Sequence, residues 1–192
     1  SKHFSLLGTI ISSDLENGYD VWAPDNNDRF LTYSDSEGED SQNTNAGSLK
    51  LHYQFSNNFF LKAISSFSAT KQVHSYDGDW ANDEYWLIEH GFDPDIEGWS
   101  YSFYESNRRK RNNFSQEIRL SNQRYTFGGY FNKFNEKDQA QGYLFGGLAD
   151  EAESEYEFQK LAAYFQSFFN ISKAVKLDFS FRLEDYFYEY KG

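Results

Sequence analysis

The amino-acid sequence predicts an all-β fold, an antiparallel up-and-down meander with short turns at one end and long acidic loops at the other. Two observations support this prediction. Apolar and polar residues alternate in segment after segment, and long acidic connections alternate with short ones between those segments. The pattern runs through the whole chain, residues 1–192, so we expect a single unit.

The clearest strand lies near the end of the chain. Odd positions from Val175 to Leu183 are apolar, and even positions from Lys176 to Glu184 are polar. An amphipathic helix repeats its apolar positions every three or four residues, so this strict alternation excludes a helix there. The same pattern, clean or mixed, predicts seven strands: Phe4–Ser13, Ala46–Phe55, Phe59–Val73, Asn112–Ser121, Tyr125–Asn135, Phe158–Phe169 and Ala174–Tyr190.

The connections between these strands alternate in length. Turns of three or four residues, rich in Asn and Ser, follow the second, fourth and sixth strands. Long loops, 14–45, 74–111 and 136–157, follow the first, third and fifth strands. Their acidic stretches, with the second counted as 74–107, hold 25 of the 30 acidic residues and two of the 18 basic ones. These stretches therefore carry −23, and the rest of the chain carries +11.

This alternation of loop lengths predicts a segment of a transmembrane β-barrel. A Greek-key sandwich has no reason to place its long loops at one end, whereas an outer-membrane barrel has short turns on one side and long loops on the other. The predicted strands have 10 to 17 residues, which exceeds the usual length in soluble sheets and suffices for a tilted membrane strand. A soluble all-β domain with three large binding loops is the alternative.

Composition argues against several functions. The net charge of −12 argues against a nucleic-acid partner, because phosphate binding needs a cationic surface. The sequence has no Cys, which excludes disulfides, zinc ribbons and thiol nucleophiles, and it has no motif of a serine hydrolase, a phosphate-binding loop or a zinc protease. We therefore expect no enzyme and no cofactor. Carboxylate pairs in the loops leave a glycosidase open as an alternative.

One loop run and three strand segments carry a family resemblance. The run Gly18–Asn26 reads GYDVWAPDN and continues through TYSD at Thr32–Asp35 to Glu39 and Asp40. The most specific strand segment is NFSQEIRLS at Asn113–Ser121. The other two strand segments are Leu49–Tyr53 and Leu177–Glu184. The loop run and the three strand segments cover most of the chain, and in their order they resemble a loop and consecutive barrel hairpins of TonB-dependent receptors.

The resemblance implies an active transporter in the outer membrane of a Gram-negative bacterium. Such receptors are 22-stranded barrels closed by an N-terminal plug. They take up ferric siderophores, cobalamin or oligosaccharides as small-molecule substrates, with energy from the TonB complex of the inner membrane. Transport by binding and gating needs no catalytic residue.

The chain departs from this family in several ways. Seven strands are about a third of such a barrel. The sequence has no plug, no TonB box, no C-terminal aromatic insertion signal and no Met. We therefore expect a partial barrel region that reaches the TonB complex through a missing N-terminal part. The alternatives are a complete small outer-membrane barrel of about eight strands and a soluble extracytoplasmic carbohydrate-binding β-domain.

Aromatic residues of the second long loop are the first candidate site. As loop aromatics do in the resembled family, they would stack on a sugar or on an aromatic siderophore. An aromatic girdle at the membrane interface, or simple packing within the loop, is the alternative. The four residues are Trp80, Tyr85, Trp86 and Trp99.

Carboxylates of the same loop are the second candidate. Asp77, Asp79 and Asp83 lie close in sequence, and calcium binds several carboxylate oxygens. The spacing fails the EF-hand pattern, because Gly78 occupies the second loop position instead of the sixth and Ile88 occupies the twelfth. A solvated acidic loop is the alternative.

A basic cluster is the third candidate. Arg108, Arg109, Lys110 and Arg111 follow the acidic stretch of the second loop. In a barrel this cluster would lie at the outer leaflet, so we expect the outer membrane and its lipopolysaccharide phosphates as partners through charge-assisted hydrogen bonds. The alternative is neutralisation of the nine carboxylates that precede the cluster.

Overall fold

The computed structural model shows seven antiparallel strands in one sheet and describes residues 3–18, 22–26, 29, 31–56, 58–144 and 147–192. For 56, 144 and 147–151 only the backbone is described. The strands follow each other across the sheet in chain order, which confirms the predicted up-and-down meander. They are β1 Phe4–Asn17, β2 Glu39–Ser56, β3 Phe59–Asp77, β4 Phe103–Ser121, β5 Tyr125–Leu144, β6 Gly147–Asn170 and β7 Lys176–Lys191.

The sheet is open in the described part of the chain. β1 pairs only with β2, and β7 pairs only with β6, so both are edges. A complete small barrel would close its last strand onto its first. The open sheet is the form that a partial barrel takes.

The strand registers place apolar residues in rows that cross the whole sheet. Residues that pair directly across antiparallel strands lie on the same face. Two neighbouring rows on one face are apolar in every strand, and we call this the apolar face. The rows are Phe4, Tyr53, Leu61, Leu120, Phe127, Phe165 and Phe181, and Leu6, Leu51, Ala63, Ile118, Gly129, Ala163 and Leu183.

The opposite face, the polar face, carries charged and hydroxyl side chains at the same height. The row between the two apolar rows illustrates this. It consists of Ser5, His52, Lys62, Arg119, Gly128, Tyr164 and Arg182.

The apolar face is the more exposed of the two. Along β4, Phe114 is 45% exposed and Ile118 is 51% exposed. The alternating polar residues Ser115, Glu117 and Arg119 are half-buried. This is the reverse of a soluble sheet, in which the apolar face is covered and the polar face is solvated.

The sheet has no second layer in the described structure. The chain exposes 13866 Å², whereas a compact monomer of its mass exposes about 9,500 Å². Among the described side chains, the buried apolar ones are Ala81, Tyr85 and Ala162. A soluble domain buries its apolar face against another layer, so this single sheet is not a two-layer sandwich.

The predicted loop boundaries were too wide. β1 extends to Asn17 and β2 begins at Glu39, which shortens the first loop from 14–45 to 18–38. The second loop, predicted at 74–111, occupies 78–102. The third prediction, 136–157, was wrong, because β5 runs to Leu144 and β6 starts at Gly147. The ladder continues where both faces are polar, so the apolar alternation that marks a strand in the sequence is lost there.

Two short helices interrupt the second loop, α1 Asp83–His90 and α2 Pro94–Glu97. Neither was predicted from the sequence. Among the described residues, no helix has the length and apolar content to cross a membrane.

Candidate functional site

The candidate site lies in the residues that connect the strands at their long-loop end. We call residues 31–38 and 78–102 the loop cap. Its α1 is fixed by local signals: the side chain of Asn82 accepts a hydrogen bond from the Tyr85 N–H at 2.9 Å, and Asp83 and Glu84 occupy the first turn. Gly91, with φ of 68°, ends the helix in the left-handed conformation.

An aromatic cluster forms the small core of the loop cap. The ring centroids of Trp86 and Tyr101 are 4.6 Å apart, and those of Phe92 and Trp99 are 4.7 Å apart. Tyr85 is 9% exposed and packs against Tyr33 of the first loop, at a centroid distance of 4.5 Å. These contacts are within the favourable range for aromatic pairs. They join the first and second loops.

Three of the four predicted substrate-contacting residues therefore lie in this cluster. Tyr85, Trp86 and Trp99 contact other rings of the loop cap, which corresponds to the packing alternative. Their role in substrate contact stays a prediction.

Trp80, the fourth predicted residue, lies at the surface. It is 40% exposed and stacks on Trp22, which is 65% exposed, with a centroid distance of 6.0 Å and an interplanar angle of 29°. Trp80 has a φ of 62°, a left-handed conformation that a bulky side chain rarely adopts. Two exposed indoles in a stack offer a flat apolar platform to a ligand.

Sequence reasoning did not identify Trp22 as a site residue. Trp22 belongs to the run Gly18–Asn26, of which Tyr19, Asp20 and Val21 lie outside the described residues. Trp22 and Trp80 are far apart in sequence, and no local pattern pairs two indoles from different loops. The presence of Trp22 in the family-like run was the one available signal.

A buried carboxyl pair lies directly beside Trp80. Asp77 is fully buried, and its side chain accepts hydrogen bonds from the Asp79 and Trp80 N–H groups, both at 3.3 Å, and from the Asp35 N–H at 3.2 Å. It therefore ties the first loop to the start of the second. Unpaired buried carboxylates are costly, so these backbone donors hold the Asp77 side chain in place.

Asp79 is the second member of the pair. It is 6% exposed, and its two carboxyl oxygens have no hydrogen-bond partner among the described residues. Burial raises the pKa of Asp79 to about 8, and the adjacent Asp77 adds to the rise. Asp79 is therefore protonated at neutral pH. Burial, followed by the charge of Asp77, also raises the pKa of Asp35.

The geometry gives no support to calcium at Asp77, Asp79 and Asp83. Within the described ranges, no group of three or more His, Asp or Glu side chains is placed to hold a metal ion. Asp83 instead accepts a hydrogen bond from Ser100 Oγ at 2.6 Å.

The basic cluster lies within β4, and the strand alternation divides it between the two faces. Arg109 and Arg111 lie on the polar face, where they form ion pairs with Asp138 and Glu136 of β5. Arg108 and Lys110 lie on the apolar face. Two of the four cations are thus neutralised by acids that follow the cluster in sequence, not by the nine that precede it.

No protein-family model matches the chain, and the search of the curated proteins found no match.

Proposed function

We propose that this chain is part of the barrel wall of a TonB-dependent outer-membrane receptor that takes up a scarce nutrient, such as a ferric siderophore, a vitamin or an oligosaccharide. One observation carries the proposal. On the inner strands β2–β6 the apolar face is the more exposed and the polar face is the more sheltered, whereas the edge strands β1 and β7 are exposed on nearly all residues of both faces. A lipid-facing wall around a polar lumen requires this distribution.

The height of the apolar face supports a membrane assignment. On β7, apolar residues of this face extend from Leu177 to Phe187. Ten residue steps cover about 33 Å along a strand, or about 25 Å along the membrane normal at a tilt of about 40°. The apolar band of an outer-membrane barrel is about 25 Å tall.

Several polar residues lie within the band. On β5 and β6, Lys133 and Gln159 occupy the row of Phe114 and Phe187, at the edge of the band nearest the long loops. Gln116 lies on the apolar face of β4, and its side chain oxygen accepts a hydrogen bond from Ser65 Oγ on β3. Asp185 lies on this face of the edge strand β7. Apart from the Ser65–Gln116 pair, the central strands β3 and β4 present apolar side chains and Ala from Leu61 to Phe67 and from Phe114 to Leu120.

The stacked pair Trp22 and Trp80 is the proposed substrate contact. Indole faces stack on sugars and on aromatic chelators, and the pair is presented by two loops at the long-loop end, which faces outward in this orientation. The buried Asp77 holds both loops in place behind the pair. Binding followed by gating is the proposed mechanism, so none of these residues has a catalytic role.

An uptake experiment tests this function. The complete gene product that contains this chain is deleted in its host, and uptake of labelled ferric siderophores, cobalamin and oligosaccharides is compared with the parent strain. The proposal expects the loss of one uptake activity that also depends on TonB. Restoration by the wild-type gene and at most a tenth of that uptake with the W22A/W80A variant would place the substrate at the stacked pair.

Other outcomes separate the rival functions. Recovery of the complete product in the soluble fraction, without detergent, would contradict a membrane receptor and would favour a soluble binding domain. Uptake that is unaffected by loss of TonB would contradict the receptor class even if the protein resides in the membrane.

A further inference from the structure

Four cations lie on the apolar face just beyond its apolar band. The strand registers align Lys71 of β3, Lys110 of β4 and Lys137 of β5 in one row. Arg108 lies in the next row on the same face. All four side chains are exposed. We call these residues the basic patch.

On β3, β4 and β5 the apolar face carries no carboxylate at the height of the basic patch, and Glu155 is the next residue of the Lys137 row on β6. The other residues of this face at the same height on β3, β4 and β5 are uncharged: Ala69, Val73, Asn112, Asn135 and Gln139. Of the four cations, Lys137 forms an ion pair in the described structure, with Glu155 at 3.2 Å, and the other three form none. Like charges on neighbouring strands repel each other, so an anion bound beside the three unpaired cations would relieve that repulsion.

Acidic residues border the patch. A depression of about 490 Å³ is lined by Arg108, Lys110 and Lys137, and on β6 by Glu153 and Glu155. On the other side, Asp14 and Glu16 lie on the same face of β1. The carboxylates confine an anion to the three central strands.

The position of the patch along the strand is the second observation. Phe114 ends the apolar band on β4, and Lys110 lies on the same face four residues earlier in the sequence, toward the long-loop end. This is about 13 Å along the strand, or about 10 Å along the membrane normal at a tilt of about 40°. A lysine side chain can extend back toward the band, which brings its ammonium group into the headgroup layer of the membrane.

We propose that the basic patch binds the phosphate groups of the outer-leaflet lipid, which in the proposed membrane is lipopolysaccharide. The inference rests on the proposed membrane location and specifies which residues meet the lipid. Arg108 and Lys110 form charge-assisted hydrogen bonds to lipid phosphates, with Lys71 and Lys137 on the adjacent strands. Arg109 and Arg111 take no part, because they face the opposite side and pair with carboxylates.

A matched pair of variants tests this assignment. R108Q/K110Q and R109Q/R111Q each remove two charges from the same four residues of β4, but from opposite faces of the sheet. The complete gene product is placed in phosphatidylcholine vesicles that contain phosphorylated lipid A, dephosphorylated lipid A or neither. Contact is measured by energy transfer from the protein to a labelled lipid A.

The expected result is selective. R108Q/K110Q lowers the apparent affinity for phosphorylated lipid A about tenfold, whereas R109Q/R111Q changes it less than twofold. Dephosphorylated lipid A binds equally weakly to all variants. If R108Q/K110Q fails to insert, K71Q/K137Q provides the same test on the neighbouring strands and is expected to give the same loss.

Three results would overturn the inference. Wild-type affinity in both R108Q/K110Q and K71Q/K137Q would show that the patch does not hold the lipid while leaving the receptor function intact. Full displacement by millimolar inorganic phosphate would identify a site for small anions instead. Failure of the wild-type protein to enter any vesicle would overturn both the inference and the proposed function.

Discussion

The two faces of the sheet differ most along the apolar band, where one face carries apolar side chains and the other carries charged and hydroxyl groups. At the level of Gly128 and Gly129, the polar face is filled by Tyr164, which donates a hydrogen bond to Glu117 at 2.6 Å and accepts one from Arg119 at 2.9 Å. The apolar face at the same level has no such network and is exposed. Networked charge on one face and bare hydrocarbon on the other fit a wall between a polar lumen and lipid.

The largest expected difference between the two faces is the loss of stability when an arginine is introduced first on one face and then on the other. Leu51 lies in the middle of the apolar band, and the next residue, His52, lies on the polar face. In vesicles, Leu51→Arg should lower the free energy of unfolding by about 2–4 kcal/mol, because an arginine at the bilayer midplane is poorly solvated. The measurement is a denaturant titration of the protein in lipid.

His52→Arg is the control for that experiment. It adds the same side chain one residue later on the polar face, and we expect a change below about 1 kcal/mol. Equal destabilisation by the two variants would contradict the assignment of the faces.

Alanine substitutions at two adjacent glycines, one on each face, test the difference in packing between the faces. A Cβ on Gly128 would lie 2.0 Å from the Tyr164 ring, so Gly128→Ala must displace that ring and its hydrogen bonds to Glu117 and Arg119. We expect a loss of about 1–3 kcal/mol in unfolding free energy. At Gly129, on the apolar face, the nearest atom is 3.9 Å away, so Gly129→Ala should be tolerated.

The Gly128 result also has a structural readout. The ring resonances of Tyr164 should shift in Gly128→Ala and not in Gly129→Ala. A Gly128→Ala variant with wild-type stability would mean that Tyr164 does not cover that position.

The loop cap should lose stability as the pH rises, unlike the sheet. The pKa of Asp79 in the folded state is raised to about 8 from its ordinary value of 3.8, so between these values the folded loop holds a proton that the open loop releases. Stability of the closed loop therefore falls with rising pH across this window, by up to about 1.4 kcal/mol per pH unit. Hydrogen exchange of residues 78–102 measures it.

Asp79→Asn is the control, since it keeps a neutral side chain of similar shape. The variant should show little pH dependence of exchange between about pH 5 and pH 8. A wild-type loop whose exchange protection increases over that range would contradict the raised pKa.

The smallest expected effect concerns the divided basic cluster. Arg109 and Asp138 form an ion pair on the polar face, with about two fifths and one third of each side chain exposed. A double-mutant cycle on this pair should give a coupling of about 0.2–1 kcal/mol, as for partly exposed pairs. The matched cycle of Arg108 with Asp138 should give no coupling, because the two lie on opposite faces.

The sequence predicted the strands wherever one face is apolar. Val175–Leu183, most of which lies in β7, alternates so strictly that a helix is excluded, whereas Phe114–Leu120 of β4 alternates less cleanly because Gln116 falls on the apolar side. The same reasoning missed the parts of β5 and β6 nearest to their connection, residues 136–144 and 147–157. Glu136, Asp138 and their partners leave both faces polar there. Backbone pairing there depends on neighbouring strands, which a linear pattern does not contain.

The loop site was less accessible from the sequence. α1 begins with Asn82, Asp83 and Glu84, a recognisable cap, but the helix is short and its apolar residues do not form one stripe. The contact between Trp22 and Trp80, and the burial of Asp79, depend on how two loops pack together. The division of Arg108–Arg111 between faces follows from alternation alone, once β4 is known to start at Phe103.

The most direct test is a map of lipid and water accessibility along β4. The chain has no Cys, so single Cys substitutions at Ile118, Ser115 and Lys110 give defined spin-label sites within it. In the complete gene product in vesicles, the label at position 118 should collide most with oxygen, which concentrates in lipid. The label at position 110 should collide most with a water-soluble relaxation agent, and position 115 should show less oxygen contact than position 118. Equal or greater oxygen contact at position 115 than at position 118 would contradict a lipid-facing apolar band.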